Sequence, residues 1–273
     1  MTVTTRIATS AITFATLAFA WHTRAATLEP VSLTGFNVDG VVEANANGGD
    51  VDVYKNNGVG LDLGGYWTLF EHGFPGTDAD SGLPSDGRIT HTDGGDTIHF
   101  ELADYGDVDG LTSNMLGMSS SYGTTGTLAL NSPAGFEKLA FLAFSTNGGQ
   151  GGEVTLNFDD GSSSTADYEF AGPDWYNNSG YAFTTEGRID NRSGSFGDET
   201  LNPRLYFSMV ELTSADQLKT VESITFEKSV YGFATYVTAV SGLVPEPSTL
   251  AAMILGGALA GLRRRHPRRK PVV

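Results

Sequence analysis

The stretch "EVTLNFDDGSSSTADYEF", residues 153–170, limits the fold more than any other part of the chain. Apolar residues take every second position at Val154, Leu156 and Phe158, and again at Ala166, Tyr168 and Phe170, with Asp159-Asp160-Gly161-Ser162 between them. A period of two belongs to strands that bury one face, and a short Asp/Gly/Ser cluster between two such runs is the chemistry of a hairpin turn. A helix would need apolar residues three and four apart, and that spacing is scarce here. The same alternation recurs at Ile98, Phe100, Leu102 and at Leu128, Leu130. By contrast "KLAFLAFS", residues 138–145, is apolar almost without interruption, which predicts a central strand covered on both faces.

Further strands are predicted over residues 31–38, 66–70, 205–212, 221–226 and 231–240. One short helical turn is predicted over residues 214–219, with Ser214 as its cap and Asp216 in its first turn. Many short strands separated by Gly, Ser, Asn and Asp clusters indicate an all-β fold, a jelly-roll-like β-sandwich. No internal repeat or Pro/Ser linker divides residues 27–243, so they read as one domain. The chain has no cysteine, so core burial rather than disulfides must hold that domain together.

Charge is distributed unevenly. Of 16 Lys and Arg, only eight lie within residues 27–249, against all 32 Asp and Glu, which gives that span a net charge of −24. A body so acidic repels phosphate backbones and anionic membrane surfaces, and this argues against nucleic-acid binding.

The two ends differ from the body. Residues 1–26 read as a signal peptide: Arg6 supplies a positive flank, residues 7–20 form an uncharged apolar stretch too short for a membrane anchor, and cleavage sites follow Ala18-Phe19-Ala20 or lie near Ala25 and Ala26. Residues 244–270 place Pro245, Glu246 and Pro247 before an apolar run at 250–262, then Arg263, Arg264, Arg265, Arg268, Arg269 and Lys270. The prolines favour an extended, protease-accessible segment, the apolar run makes a short membrane helix, and the basic cluster holds the end on the cytoplasmic side. The simplest physical alternative is a plain C-terminal anchor with a proline hinge, for which the apolar run is short.

This arrangement closely resembles the PEP-CTERM sorting signal of exported bacterial proteins. The resemblance covers about the last 30 residues, and all three elements are present. It implies a substrate of exosortase, a membrane-embedded transpeptidase-like protease that cuts near the Pro-Glu-Pro motif and releases or transfers the body. Pro245, Glu246 and Pro247 are then residues that another enzyme recognises. The implied partners are the export machinery, exosortase and extracellular polysaccharide, because bearers of this signal typically make exopolysaccharide. The implied itinerary runs across the inner membrane, through a transient anchored state, to the cell surface or the medium. A second resemblance lies in "SITFEKS" followed by "FATYVTAVSG", residues 223–229 and 233–242, which is similar to the end of galactose-binding-like jelly-roll domains. Those are commonly carbohydrate-binding modules without a catalytic motif.

Three function classes follow: a non-catalytic surface or matrix protein, which the export signals favour, a carbohydrate-binding module, and a secreted glycan hydrolase. Thiol catalysis is excluded, and "SGSFG", residues 193–197, has serine where a G-x-S-x-G elbow needs its first glycine. His91, Asp93, Asp96 and His99 share one predicted hairpin, which makes either a metal cluster or a polar turn. No cofactor motif is present. "DYGDVDG", residues 104–110, departs from the EF-hand pattern at its first and last ligand positions, so the remaining calcium reading is a jelly-roll site of backbone carbonyls and loop carboxylates such as Asp50, Asp52, Asp107, Asp109, Asp159 and Asp160. The candidate sugar site is Asp174, Trp175, Tyr176 and Asn177 in "GPDWYNNSGY", with Trp175 either a stacking platform or a core plug that pins the loop. Trp67 reads as core, and Arg204 as a partner for an internal carboxylate.

Overall fold

The computed structural model describes residues 25–44, 60–62, 66–78, 81–105, 113–176, 179–190, 193–197, 202–229 and 234–245. Most of the signal peptide, Asp50, Asp52, Asp107, Asp109, Asn177, and the tail from Glu246 onward, with Pro247 and the arginine cluster, lie outside the described residues. The described residues are all-β, apart from one 3-10 turn at Asp216–Leu218. No helix among them is long and apolar enough to cross a membrane.

The strands are β1 (Thr27–Pro30), β2 (Leu33–Thr34), β3 (Val41–Val42), β4 (Trp67–Phe70), β5 (Arg88–Asp93), β6 (Asp96–Glu101), β7 (Leu116–Met118), β8 (Thr125–Ala134) and β9 (Lys138–Ser145). They continue with β10 (Gly151–Phe158), β11 (Ser163–Ser164), β12 (Glu169–Ala171), β13 (Tyr181–Thr184), β14 (Arg188–Asp190), β15 (Ser195–Gly197), β16 (Arg204–Glu211), β17 (Val221–Lys228) and β18 (Thr235–Leu243). An eight-stranded sheet runs β13-β16-β9-β18-β1-β6-β5, with β7 also paired to β18. A six-stranded sheet runs β11-β10-β17-β8-β2, with β12 also paired to β10. The two sheets pack face to face as a sandwich.

The predicted alternation decides which side chains fill the space between them. Val154, Leu156 and Phe158 from β10, Leu128 and Leu130 from β8, and Ile224 and Phe226 from β17 meet Leu139, Phe141 and Ala143 from β9. Each Val, Leu, Ile or Phe among them stabilises the fold by about 1.5–3 kcal/mol when taken fully out of water. The even positions of β9, Ala140, Leu142 and Phe144, point the other way and are equally buried, against Leu28, Ile98, Phe100, Tyr206 and Tyr236. That second core explains why "KLAFLAFS" has no polar face.

What covers the far side comes from two excursions of the chain. The first runs between β2 and β7 and carries β3 to β6; the second runs between β12 and β16 and carries β13 to β15. They join through β4 and β14, where Ile189 lies opposite Thr68 and Asp190 opposite Trp67. The resulting four-stranded sheet, β15-β14-β4-β3, sends Val41 and Leu69 into the second core and packs Val42, Phe70, Phe74 and Ile189 on its other side.

Several local expectations need correction. Residues 31–38 are not one strand: Leu33–Thr34 pairs with β8, Val38 makes a single bridge to Met115, and β1 precedes them. The chain crosses there from one sheet to the other, and it turns at Gly35, whose φ of 105° suits glycine and whose missing Cβ would lie 2.6 Å from the Thr127 carbonyl oxygen. The Asp159–Ser162 turn forms as expected, with Ser162 N–H donating to Asp160 Oδ1. The returning arm is broken, however: Asp167 has a φ of 55° and Ala166 is exposed, so only Tyr168 and Phe170 of that triplet reach the core.

The helical turn is shorter than predicted, and its hydroxyl acceptor is Thr213 rather than Ser214, since Asp216 N–H donates to Thr213 Oγ1 at 3.2 Å. Asp216 itself is buried and ties three segments together. Its Oδ2 accepts from Tyr168 Oη at 2.8 Å, Ser164 Oγ at 2.8 Å and Thr213 Oγ1 at 3.0 Å. Burial pushes this carboxyl up, but the three hydroxyl donors and nearby Lys219 outweigh it, so the group sits below its ordinary value. A depressed carboxylate adds stability above the unfolded value near 3.8 and loses it as the pH falls through the folded value. Asp216→Asn should therefore cost about 1.5–3 kcal/mol at neutral pH. Denaturant titrations should show the deficit shrinking below pH 3.8, and a deficit independent of pH would rule out this role.

Candidate functional site

Four backbone hydrogen bonds fix the "PDWY" segment. Ser145 N–H donates to the Pro173 carbonyl at 2.9 Å, Trp175 N–H to the Ser145 carbonyl at 2.8 Å, Arg204 N–H to the Trp175 carbonyl at 3.0 Å, and Gly172 N–H to the Gln150 carbonyl at 3.2 Å. The segment is thus zipped between the end of β9 and the start of β16. This turns Trp175 inward, where it is completely buried and stacks on Phe144 at 5.6 Å and 12°, which in turn stacks on Tyr236 at 5.1 Å. Of the two readings of Trp175, the structure selects the core plug; the ring offers no face to a ligand.

Asp174 serves the backbone. Its carboxylate accepts from Gly148 N–H and, at 3.1 Å, from Tyr176 N–H, while its carbonyl accepts from Tyr206 Oη at 2.9 Å. Burial pushes its carboxyl up, against the Gly148 N–H and the Arg188 charge. Together with Gly148, Gly149, Gln150 and Pro173 it lines a cavity of about 550 Å³. Tyr176 turns its ring toward an arginine that the sequence reading did not single out.

That arginine is Arg188, on β14, with only 4% of its surface exposed. Its Nη1 donates to Asp62 Oδ2 at 3.0 Å, and its guanidinium lies 4.5 Å from the Trp67 ring centre and 4.6 Å from that of Tyr176, with Trp175 at 5.4 Å. A cation between two aromatic faces gains attraction from both rings in a setting where water cannot compete. Asp62 is raised by its burial, which outweighs the charge and hydrogen bond of Arg188. The Trp175 indole N–H lies toward this carboxylate and favours its charge without closing a hydrogen bond of ordinary geometry. Asp62 and Trp67 come from the first excursion, Tyr176 and Arg188 from the second, so the cluster clamps the two together over the sheet. In the sequence the pair is hidden, because "GLDLGG" and "GRID" are 126 positions apart.

The histidines do not converge. His99 lies opposite Thr90, with Nδ1 and Thr90 Oγ1 3.0 Å apart, while His91 points to the other face and packs against the Phe207 ring at 4.3 Å. Asp96 is engaged by Lys138 Nζ at 2.7 Å and Ala26 N–H at 2.8 Å. The polar turn is the correct reading of that hairpin, and its two-residue loop, Gly94-Gly95, has both φ values positive. His72 faces the Ser81 carbonyl at 3.3 Å. No three Asp, Glu or His side chains gather as metal ligands among the described residues. Asp160 spends its carboxylate on Ser162, with Lys219 at 3.9 Å. Arg204 lays its guanidinium over the Tyr181 ring at 4.7 Å. Trp67, expected in the core, is only half-buried: it packs against the second core and lies under the Arg188 guanidinium. A second cleft, of about 610 Å³, lies between residues 30–36 and 101–104, with Ser113 and Ala239.

No protein-family model matches this chain, and no curated protein matches it.

Proposed function

We propose that this is an exported, non-catalytic surface or matrix protein of the PEP-CTERM type, processed by an exosortase and associated with exopolysaccharide. The observation that carries the reading is where the fold ends. β18 is an interior strand of the eight-stranded sheet, its last residue Leu243 accepts a hydrogen bond from Glu137 N–H at 2.7 Å, and Val244 is already 56% exposed. The Pro-Glu-Pro motif therefore starts two residues beyond Leu243, the last residue of the last strand, so cleavage near it need not unfold the sheet. The start of the fold agrees: Ala26, next to the expected signal cleavage sites, donates its N–H to Asp96 and leads directly into β1.

The finer reading of the body is a jelly roll. It is supported by strand order, since β1-β18-β9-β16 faces β8-β17-β10-β12, and along the chain these eight strands alternate between the sheets except at the β10–β12 hairpin. A carbohydrate-binding module is the second reading, favoured by the cavity beside Asp174 and Gln150. The implied partners are export machinery, exosortase and extracellular polysaccharide.

Replacing both Pro245 and Pro247 by alanine tests the sorting step. The substitutions allow the segment to continue as helix into residues 250–262 and so hide the bond that must be extended for cleavage. Uncleaved precursor should accumulate in the inner membrane on fractionation and immunoblotting. Unchanged release of the body would refute processing at this motif.

A further inference from the structure

The fold takes hold of the chain at Ala26. Its N–H donates to Asp96 Oδ1 at 2.8 Å, its carbonyl accepts from Thr97 N–H at 2.8 Å, and β1 begins at the next residue. Ala25, one residue earlier, is exposed. Asp96 keeps only 13% of its side chain exposed, and its other oxygen accepts from Lys138 Nζ at 2.7 Å. Lys138 also reaches Glu211, at 3.6 Å. Asp93 lies opposite Asp96 in the β5–β6 hairpin, and β18, the other neighbour of β1, carries no charged residue. Three carboxylates thus stand near one ammonium, and the most buried of them, Asp96, spends one oxygen on a neutral amide.

The sequence can supply a second cation at that place. Signal cleavage needs small residues one and three positions before the cut, and Thr23 and Ala25 meet this need for a cut between Ala25 and Ala26. A cut after Ala26 would put Arg24 at the outer position and discard both hydrogen bonds of Ala26. A cut after Ala20 would leave the Ala26 nitrogen a neutral amide within the chain.

We infer that the export signal is removed between Ala25 and Ala26, and that the α-ammonium so formed docks on Asp96 as an ion pair of the mature fold. The inference rests on the export reading proposed above and fixes which of its cleavage sites is used. The signal peptidase of the export machinery adds water across the bond. The departing peptide keeps a carboxylate at Ala25, and the amine left on Ala26 takes up a proton at neutral pH, its ordinary value being about 8. The nitrogen need not move, since it already donates to Asp96 Oδ1. A hydrogen bond from a neutral amide becomes one between two opposite charges, which is stronger, and Asp96 is shielded enough from water to profit.

The test expresses the full chain in a Gram-negative host that exports it and reads the first residue of the recovered protein by N-terminal sequencing and intact mass. Ala26 should come first. A start at any other residue beyond Thr2, Trp21 and Thr27 included, overturns the inference while sparing export, and a start at Met1 or Thr2 removes the signal-peptide reading with it. Docking has a separate readout, the rate at which the α-amine of the mature protein reacts with an acylating reagent at neutral pH. That rate should be about tenfold lower than in a free Ala-Thr-Leu-Glu peptide, because the carboxylate holds the proton on the amine. Asp96→Asn should restore the peptide's rate. Peptide-like reactivity in wild type overturns the docking, and so does slow reaction in a folded Asp96→Asn protein, which would mean that steric cover protects the amine. If that variant does not fold, acylation of wild type across pH decides: an amine that loses its proton at no higher pH than the peptide's overturns the docking.

Discussion

Trp175→Ala is expected to lower stability by about 3–5 kcal/mol and the melting temperature by on the order of 10 °C. The ring is fully buried and forms the outer member of a stack with Phe144 and Tyr236, so truncation opens a cavity on the covered face of β9 that backbone hydrogen bonds on both sides of residue 175 keep from collapsing. Trp175→Phe separates the ring from its N–H. The indole N–H leans toward the Asp62 carboxylate without closing a hydrogen bond of ordinary geometry, so deleting it forfeits only that weak support, and the smaller ring still stacks on Phe144. Its deficit should be about 1–2 kcal/mol. Circular-dichroism melts and denaturant titrations on both variants measure this. If the alanine variant melted as wild type does while losing affinity for a glycan, the ring would be a ligand platform after all.

The fate of Trp175 shows what a linear pattern can and cannot carry. Alternation along β6, β8 and β10 was legible because a strand that buries one face must repeat every second residue, whatever it packs against. The unbroken apolar run in β9 announced two cores for the same reason. Nothing local revealed what forms the second cover. It is built from short pieces, β3, β4, β14 and β15, of two to four residues each, too brief to show a period. The pairing that joins them, β4 with β14, is between residues more than a hundred positions apart. The Asp62–Arg188 pair belongs to that cover and was invisible for that reason. The loop around Trp175 looked like a display of aromatic and amide groups because composition does not encode which way a ring turns; the hydrogen bonds to Ser145 and Arg204 do that. The sole available hint was scarcity, since Arg188 is one of eight basic residues in a strongly acidic span.

Arg188→Met should prove nearly as damaging as the loss of Trp175, for an electrostatic reason. The methionine fills much of the slot between Trp67 and Tyr176, but it leaves the Asp62 carboxylate buried without its counter-charge, which costs about 3–5 kcal/mol. Burial already raises the Asp62 carboxyl above 3.8, and the Arg188 charge and hydrogen bond are what restrain it. Removing them raises it further. A folded-state value above the unfolded one means that the native protein holds a proton which the unfolded chain has released, so stability falls as pH rises through the folded value and is regained below the unfolded one. The deficit of Arg188→Met should therefore be largest at neutral pH and shrink as the pH is lowered toward 3.8. Adding Asp62→Leu removes the stranded charge itself, and the double variant should recover much of the loss, because a well-packed apolar pair is often as stable as a buried ion pair. Arg188→Lys keeps the charge without the planar group that both rings grip, and should fall between wild type and methionine. A double-mutant cycle from denaturant titrations at neutral and acidic pH measures the coupling. A coupling near zero, or a deficit that does not change with pH, would mean that the two excursions are held by their apolar contacts alone and that the ion pair is incidental.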